Sequence, residues 1–367
     1  AMGINDIIIY IVVGFLILGA VDKLTGNKLG YGERFTDGFK AMGSLTLAMV
    51  GIISLAPVIA AVLTPVISPV YRFIGADPAA FANTILAIDM GGYALAQEMG
   101  ENPEAALFSW VFLGTMMGPA IVFTIPVALG IIEKKDHPYF AKGVLLGLIT
   151  IPIGALTGGI AAGMDISMML RNLLPSFLFS LFIAWGLWKI PGKMIRGFSF
   201  FGRLIEIAAV AGLTAIIIET LTGLVIIPGM APVEEGIQIV GSIVIFLAGA
   251  FPMVLFIQRI FKKPLVKIGR KMGINDSSTA GIVASLAHII PMLTILRDMD
   301  PKGKIINVAF AISGAFVFGS HFGIVAGLNK EMAFAMIIGK LTGGLSAVIL
   351  ALITEGNKHR DGSPAAH

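Results

Sequence analysis

The chain has 367 residues, of which 56% are apolar and only 13% are charged. Ordinary soluble domains contain about 25% charged residues, so this composition argues against a soluble enzyme and favours a protein dissolved in lipid. The absence of cysteine excludes disulfides, thiolate metal sites and cysteine nucleophiles. The formal net charge of +4 comes from basic residues in short loops between apolar segments, a pattern of membrane topology that does not indicate nucleic-acid binding.

A helix that crosses a bilayer needs about 20 mainly apolar residues. Eleven segments meet this criterion, so the sequence predicts an all-α, polytopic integral membrane protein with a single transmembrane domain over residues 1–367. The predicted spans, in chain order, are 4–21, 41–63, 79–97, 105–131, 140–163, 167–188, 204–227, 237–258, 277–296, 304–327 and 331–353. The second of these contains Pro57 and is followed by two more prolines, so a re-entrant hairpin over 41–74 is the alternative.

Positive charge differs between alternate loops. Loops 132–142, 189–203 and 259–271 are rich in Lys and Arg, whereas the acidic loop 98–104 has neither. Cytoplasmic loops hold such an excess, so these three loops predict the cytoplasmic face. With eleven crossings, the N-terminus is then expected inside and the C-terminus outside.

The sequence predicts two weakly similar internal repeats. A shift of 198 positions aligns residues 43–82 with 241–280, and seven of these 40 positions are identical. The predicted organisation is a first helix at 4–21, repeat one within 22–163, linking helices at 164–236, repeat two at 237–353 and a tail at 354–367.

Each repeat carries an interruption at a corresponding place. Gly91 and Gly92 align with Ile289 and Ile290, just before Pro291, so the sequence predicts an interrupted helix at the same depth in both halves. Interrupted segments at matching positions are the best sequence pointer to a transport site. Six spans separate the two copies, which makes the repeats parallel; a re-entrant segment between them would make them inverted.

Asp89 is the strongest functional candidate. It is the eleventh of nineteen residues in the span 79–97, about 15 Å from either end at 1.5 Å per residue. An ionisable side chain at the bilayer centre costs at least about 2.5 kcal/mol, so it should face a cavity or a partner. Lys340, ten residues into the last span, is the candidate partner for an ion pair; a protonated, hydrogen-bonded Asp89 is the structural alternative.

Further polar side chains lie within predicted spans. His288 and His321 occur beside Pro or Gly interruptions, and Asn83 and Asn307 could each hydrogen-bond a small polar solute. Hydrogen bonding between helices is the alternative role for each of them. The chain has no P-loop, no HExxH zinc motif and no G-x-S-x-G nucleophile elbow, so we expect no enzymatic activity and no cofactor.

Several runs resemble a known transporter family. They are AMGSLTLAMVGIISLAPV (41–58), AIDMGGYALAQEM (87–99), LGTMMGPAIVFTIPVALGIIE (113–133), GAFPMV (249–254), LAHIIPM (286–292) and MDPKGKIINVAFAISGAFVFGSH (299–321). The chain is similar over nearly its whole length to the EutH-type ethanolamine permeases of bacteria. This resemblance implies uptake of ethanolamine across the bacterial cytoplasmic membrane for ethanolamine catabolism.

The polar residues fit that substrate. An alkyl ammonium resembles the Lys side chain, with a pKa of about 10.4, so it is cationic at neutral pH and cannot cross lipid unaided. Asp89 would pair with the ammonium, and Gly91 and Gly92 would expose backbone carbonyls. The remaining candidates are aromatic faces for cation-π attraction and partners for the hydroxyl: Tyr93, Phe123, Phe251, His288, Asn83, Asn307 and His321.

Two other function classes stay open at this point. One is an ion-coupled transporter of another small amine or polar solute, and the other is a membrane sensor that binds without transporting. Expected partners are ethanolamine and the lipid bilayer; a homo-oligomer is compatible with the sequence, and no nucleic acid is expected.

Overall fold

The computed structural model of the chain describes residues 2–358, and every regular element in that range is helical. Ala1 and residues 359–367 lie outside the described part, and with them most of the predicted tail. Since lipid offers no hydrogen-bond partners, a helix satisfies its backbone internally, which explains the exclusive use of helices. Their bounds are α1 (Ile4–Leu24), α2 (Tyr31–Phe73), α3 (Pro78–Ile85), α4 (Tyr93–Met99), α5 (Pro103–Phe108), α6 (Met117–Pro119), α7 (Ile125–Ile131), α8 (His137–Ala161), α9 (Ile166–Lys189), α10 (Pro191–Thr222), α11 (Val233–Met272), α12 (Asp276–Ser285), α13 (Ile289–Ile295), α14 (Pro301–Gly314), α15 (Ser320–Leu328) and α16 (Ala333–Lys358).

The helices long and apolar enough to cross a membrane number seven in the described part, or eight if one bent pair counts as a single span. They confirm a multi-pass helical architecture, but they do not confirm the predicted count of eleven. Large apolar side chains such as Trp188 and Val62 are 74% and 69% exposed, as expected for surfaces that face lipid. The seven spans are α1, α2, α8 with the turn before it, α9, α10, α11 and α16 with the turn before it.

Two very long helices, α2 and α11, pack together at the centre of the fold. The 43 residues of α2 rise about 64 Å at 1.5 Å per residue, well beyond a hydrocarbon core of about 30 Å. A Cβ at Gly38 of α2 would lie 2.6 Å from the Ala248 backbone of α11, so the close crossing requires glycine. Because α2 continues unbroken through its three internal prolines, the alternative of a re-entrant hairpin over 41–74 is wrong.

The predicted span 79–97 is a hairpin, which we call hairpin 1 (α3, the following break and α4). Asp77 caps α3 by accepting from the Ala79 amide, and its second oxygen accepts from the Glu101 and Asn102 amides at 3.0 and 2.7 Å. The chain therefore returns at residue 101 to the place that it left at residue 77. A Cβ added at Gly100 would lie 3.7 Å from that of Ala79, so the two arms run side by side.

The predicted span 277–296 folds in the same way into hairpin 2 (α12 and α13). Asp300 accepts from the Asn275 amide and from the Ser278 hydroxyl, both at 2.9 Å. The Asn275 side chain in turn donates to the Asp298 carbonyl. These bonds join the start of α12 to the end of the segment, as Asp77 does in hairpin 1.

Each hairpin is followed by a broken helix on which the hairpin tip docks. The first broken helix (α5–α7) bends by 46° between Leu113 and Met117, and its Gly114 carbonyl accepts from the Ile88 amide of hairpin 1 at 2.8 Å. The second broken helix (α14–α15) is interrupted between Gly314 and Ser320. There the Phe316 amide donates to the Ser285 carbonyl of hairpin 2 at 2.9 Å. Both broken helices are therefore interrupted where a hairpin tip docks, at positions other than the predicted interruptions near Gly91 and Pro291.

Helices α8 and α16 meet through glycines spaced four apart. A Cβ at Gly154 would lie 2.6 Å from the Gly339 carbonyl oxygen and 3.0 Å from the Gly343 Cα. One turn along, a Cβ at Gly158 would lie 2.9 Å from the Ala335 carbonyl oxygen. Small residues at this spacing let two backbones approach closely, so these GxxxG sequences form a helix contact.

Candidate functional site

A cavity of about 460 Å³ lies where the two hairpin tips, the two breaks and the central helices meet. Hairpin 1 contributes Asp89 and Met90, and hairpin 2 contributes His288. Concave sites with a few convergent polar groups are where small molecules bind. Five predicted site residues line this cavity, and they are Asp89, Phe123, Phe251, His288 and His321.

Asp89 lies in the break of hairpin 1. Its side chain is partly exposed to the cavity, and no other described residue donates a hydrogen bond to its carboxylate or forms an ion pair with it. Buried carboxylates are normally paired or hydrogen-bonded by the protein. The carboxylate therefore faces the cavity with its hydrogen-bonding capacity largely unused.

The two glycines that follow Asp89 shape the hairpin tip. Gly91 has a φ of +106°, which residues other than glycine rarely adopt. A Cβ at Gly92 would lie 2.8 Å from the Ala87 carbonyl oxygen and would overlap the Asn83 side chain. Both glycines are buried away from the cavity lining, so their role in this structure is to hold Asp89 at the tip.

His288 begins α13 and projects an imidazole into the cavity. Its Nδ1 accepts from the Ile290 amide at 3.1 Å, which caps the helix. An accepting Nδ1 places the proton of a neutral imidazole on Nε2, which then remains a donor. The ring lies edge-on to Phe316 and Phe123, with centroid distances of 4.8 and 6.1 Å.

The break of the second broken helix forms the opposite wall. Phe316 adopts a φ of +66°, an uncommon conformation for a bulky residue, and its ring lies 4.6 Å from that of His321. Ser320 and His321 begin α15, and both line the cavity. Strained backbone concentrates at binding sites, where surrounding packing holds it in place.

The predicted ion pair between Asp89 and Lys340 is not formed. Lys340 is 1% exposed, and its ammonium donates to the Thr115 carbonyl at 2.5 Å and lies 3.0 Å from His321 Nδ1. The Thr115 carbonyl is free to accept because the helix is interrupted there. A backbone carbonyl and an imidazole thus take the place of the expected carboxylate.

Three other predicted residues lie away from the cavity. Asn83 is fully buried and donates to the Ala79 carbonyl, and Asn307 donates to the Ser278 and Gly303 carbonyls. Tyr93 packs edge-on against Trp110 and accepts from Gln97. These side chains brace the hairpins and broken helices, the alternative role considered for the two asparagines.

Sequence reasoning missed Ser44 and Met90 as lining residues. Ser44 belongs to the apolar helix α2, and nothing in its local pattern marks the face that meets the hairpin. The hairpins did leave a signal. Asp77, Asn102, Asn275 and Asp300 are all N-cap residues, and three of them precede proline, so helices begin afresh at each.

Comparison with known proteins places these residues in a family. The profile described as "Ethanolamine utilisation protein, EutH" matches residues 4–354. The chain is 62% identical over 350 residues to the uncharacterized protein YxeR of Bacillus subtilis, covering 95% of each. It is 57% identical over 351 residues to the probable ethanolamine permease EutH of Listeria monocytogenes, covering 96% of this chain and 94% of the relative. The Salmonella typhimurium protein of the same name is 44% identical over 390 aligned positions, 96% of each. No solved structure matches the chain.

Proposed function

Because this chain belongs to the EutH family of ethanolamine utilisation proteins, we propose that it transports ethanolamine across the cytoplasmic membrane of a bacterium. Two of these relatives are named probable ethanolamine permeases, that is, transporters and not enzymes, and the multi-pass helical fold agrees with that class. Uptake of the amino alcohol for catabolism is the role that this family membership supports.

The carboxylate of Asp89 carries the proposal. It faces a cavity between two hairpin tips and, among the described residues, has no partner except its own backbone amide. Protonated ethanolamine supplies the missing positive charge and N–H donors, and charge-assisted hydrogen bonds of this kind are about twice as strong as neutral ones. A cation that cannot enter lipid thereby gains a fixed countercharge within the membrane.

The other lining residues suit the rest of the molecule. The rings of Phe123, Phe251 and Phe316 surround the cavity, and an ammonium over such a ring gains about 0.5–2 kcal/mol. The free Nε2 of His288 and the hydroxyl of Ser320 can bond the substrate hydroxyl. The site then recognises both ends of a two-carbon amino alcohol.

We further propose that the hairpins are re-entrant and that the repeats are inverted. The hydrogen bonds that Asp77 and Asp300 accept from backbone amides bring each hairpin back to the end where it began, so neither counts as a crossing. The crossings then number nine: the seven long spans and the two broken helices. Helix α11 is the counterpart of α2 and the fifth crossing after it, and an odd step along the chain gives the two copies opposite orientations.

The positive-inside rule supports one orientation of this topology, with the N-terminus outside and the C-terminus in the cytoplasm. Among the described basic side chains, only Arg72, Arg171 and Lys330 lie at the end that holds hairpin 1. The same end carries the acidic residues Glu98, Glu101 and Glu104. This acidic end would face outward and attract a cation. The opposite end carries Lys23, Lys28, Arg34, Lys40, Lys134, Lys135, Lys142, Lys189, Lys193, Arg196, Arg203, Arg259, Lys262, Lys263, Lys267, Arg270, Lys271, Arg297, Lys302 and Lys304.

This orientation can be measured by labelling single introduced cysteines, because the chain has no cysteine of its own. Gly3→Cys lies at the N-terminal end, and Gly192→Cys lies in the first turn of α10, where an added side chain meets nothing within 4 Å. A membrane-impermeant maleimide should label Gly3→Cys in intact cells and Gly192→Cys only after lysis. The reverse pattern would restore the orientation with the N-terminus inside.

Transport is tested with labelled ethanolamine in proteoliposomes and by binding calorimetry on the purified protein. Asp89→Asn should weaken binding at least about tenfold, while Asp89→Glu should retain part of the affinity because the charge remains. Asp37→Asn, at a partly exposed position of α2 where Asp37 pairs with Arg34, is the matched control and should bind as the wild type does. Wild-type affinity in Asp89→Asn would place the site elsewhere, and binding without flux would favour a sensor.

A further inference from the structure

Lys340 is a buried lysine without a carboxylate partner. It is 1% exposed, is the eighth of the 26 residues of α16, and forms no ion pair with any residue in the described range. Burying a charge is costly unless it is compensated, and lysine, unlike arginine, readily loses its proton when buried. A leucine or methionine would fill such a position without that cost.

The surroundings of Lys340 link it to the proposed site. The Nζ atom of Lys340 donates to the carbonyl oxygen of Thr115 in the first break. The same Nζ lies 3.0 Å from Nδ1 of His321, which belongs to the first helical turn after the second break. His321 lines the cavity that Asp89 also lines. Lys340 therefore connects the first and second broken helices, and only the imidazole of His321 lies between it and the proposed substrate position.

The proton shared between Lys340 Nζ and His321 Nδ1 can be bonded to either nitrogen. When the amine is charged, Nδ1 accepts; when the amine is neutral, Nδ1 can donate to it. A proton that leaves Nζ can pass to Nδ1 while the Nε2 proton of His321 leaves for cavity water. The Nζ–H and Nε2–H bonds break, while an Nδ1–H bond and an O–H bond on the water form, so the relay is balanced and the water that takes up the proton is the only other reactant.

Charge balance supplies the reason for such a relay. The ionisable groups around the cavity are Asp89, His288 and His321, with Lys340 behind His321. Other ionisable groups on the helices that pack against α16 lie near the helix ends, such as Lys142 beside Glu355, Lys304 beside Asp136, and Asp6, Asp22, Lys23, Lys302, Lys330 and Glu331. With Asp89 ionised and Lys340 protonated the site is neutral, and a bound ammonium would add one uncompensated charge in a low dielectric.

We propose that ethanolamine binding at Asp89 releases the proton of the Lys340–His321 pair. The inference rests on the proposed function, since it assumes that the cation binds at Asp89. One amine cation then enters the site as one proton leaves it, so the net species moved is the neutral amino alcohol. Transport would be electroneutral and would respond to a pH gradient rather than to the membrane potential.

Calorimetry in buffers of different ionisation enthalpy measures the protons released on binding. Wild type should release about one proton per ethanolamine, and its affinity should rise about tenfold per pH unit between pH 6 and 8. Lys340→Met should bind with no proton release and with no such pH dependence. Lys340→Arg, whose charge cannot be lost, should also release none and should bind more weakly than wild type.

The controls separate this inference from the proposed function. Lys330→Met, an exposed lysine in the turn before α16, should behave as wild type, and thermal unfolding shows whether each variant is folded. If the Met variant does not fold, the Arg variant still decides the matter. No binding by wild type would refute the proposed function, whereas binding without proton release, or release that persists in folded Lys340 variants, would overturn the proton relay alone.

Discussion

Cutting one buried ion pair should cost this protein several kcal/mol of stability. Lys304 of α14 reaches Asp136, just before α8, with Nζ 2.6 Å from Oδ1. The side chains are only 9% and 1% exposed, and the lysine also lies over the ring of Tyr139 at 5.4 Å from its centroid. The pair therefore joins the second broken helix to α8 in a setting that water hardly reaches.

The magnitude follows from what each substitution leaves behind. Lys304→Met leaves the Asp136 carboxylate buried without its partner, and breaking a buried pair in this way costs about 3–5 kcal/mol. One oxygen of Asp136 has no hydrogen-bond partner among the described residues, so no second donor there is in place to compensate. Changing both residues, Lys304→Met with Asp136→Asn, removes both charges and should recover most of the loss.

Unfolding in mixed micelles, followed by circular dichroism, measures these differences. The exposed pair of Arg203 and Glu206 provides the control, because its side chains are 67% and 61% exposed and such pairs contribute at most about 1 kcal/mol. Arg203→Met should therefore be nearly neutral. If Lys304→Met were as stable as Arg203→Met, or if the double variant were no better than the single one, the reasoning about desolvated charge would be refuted.

Two further predictions concern hairpin docking and pH. Gly118→Ala should reduce both stability and ethanolamine binding, because the new Cβ would overlap the Leu86 carbonyl at the hairpin tip; overpacking costs about 1–3 kcal/mol, and Gly130→Ala, with open space around it, should show neither effect in the same unfolding and calorimetric assays. The hydrogen bond and charge of Lys135 lower the pKa of Glu133, so the pair stabilises the fold above the ordinary pKa of Glu and stops doing so as the pH falls through the lowered pKa. Lys135→Gln should thus lower the melting temperature at pH 7 but not at a pH below that lowered pKa, and an equal loss at both would contradict the assignment.

The sequence by itself determined that this protein is surrounded by lipid, and it identified several residues that line the cavity. Apolar runs of membrane length predict helices in lipid, because each helix satisfies its own backbone wherever it packs. Asp89, His288 and His321 could be singled out because an ionisable group in an apolar run is costly and so implies a cavity or a partner. The interruptions beside Gly91 and Pro291 could also be predicted, because glycine and proline disturb a helix through their own backbone chemistry.

Only the tertiary structure decided how those pieces meet. An apolar stretch of about 20 residues is long enough to cross a bilayer once, and it is equally long enough to enter and return as a hairpin; the difference lies in the hydrogen bonds of Asp77 and Asp300 to residues more than 20 positions away. The same holds for Lys340, whose partners Thr115 and His321 become neighbours only through packing of both halves. Local pattern fixes which residues must be satisfied inside the membrane, whereas the partner that satisfies each one depends on contacts between distant segments.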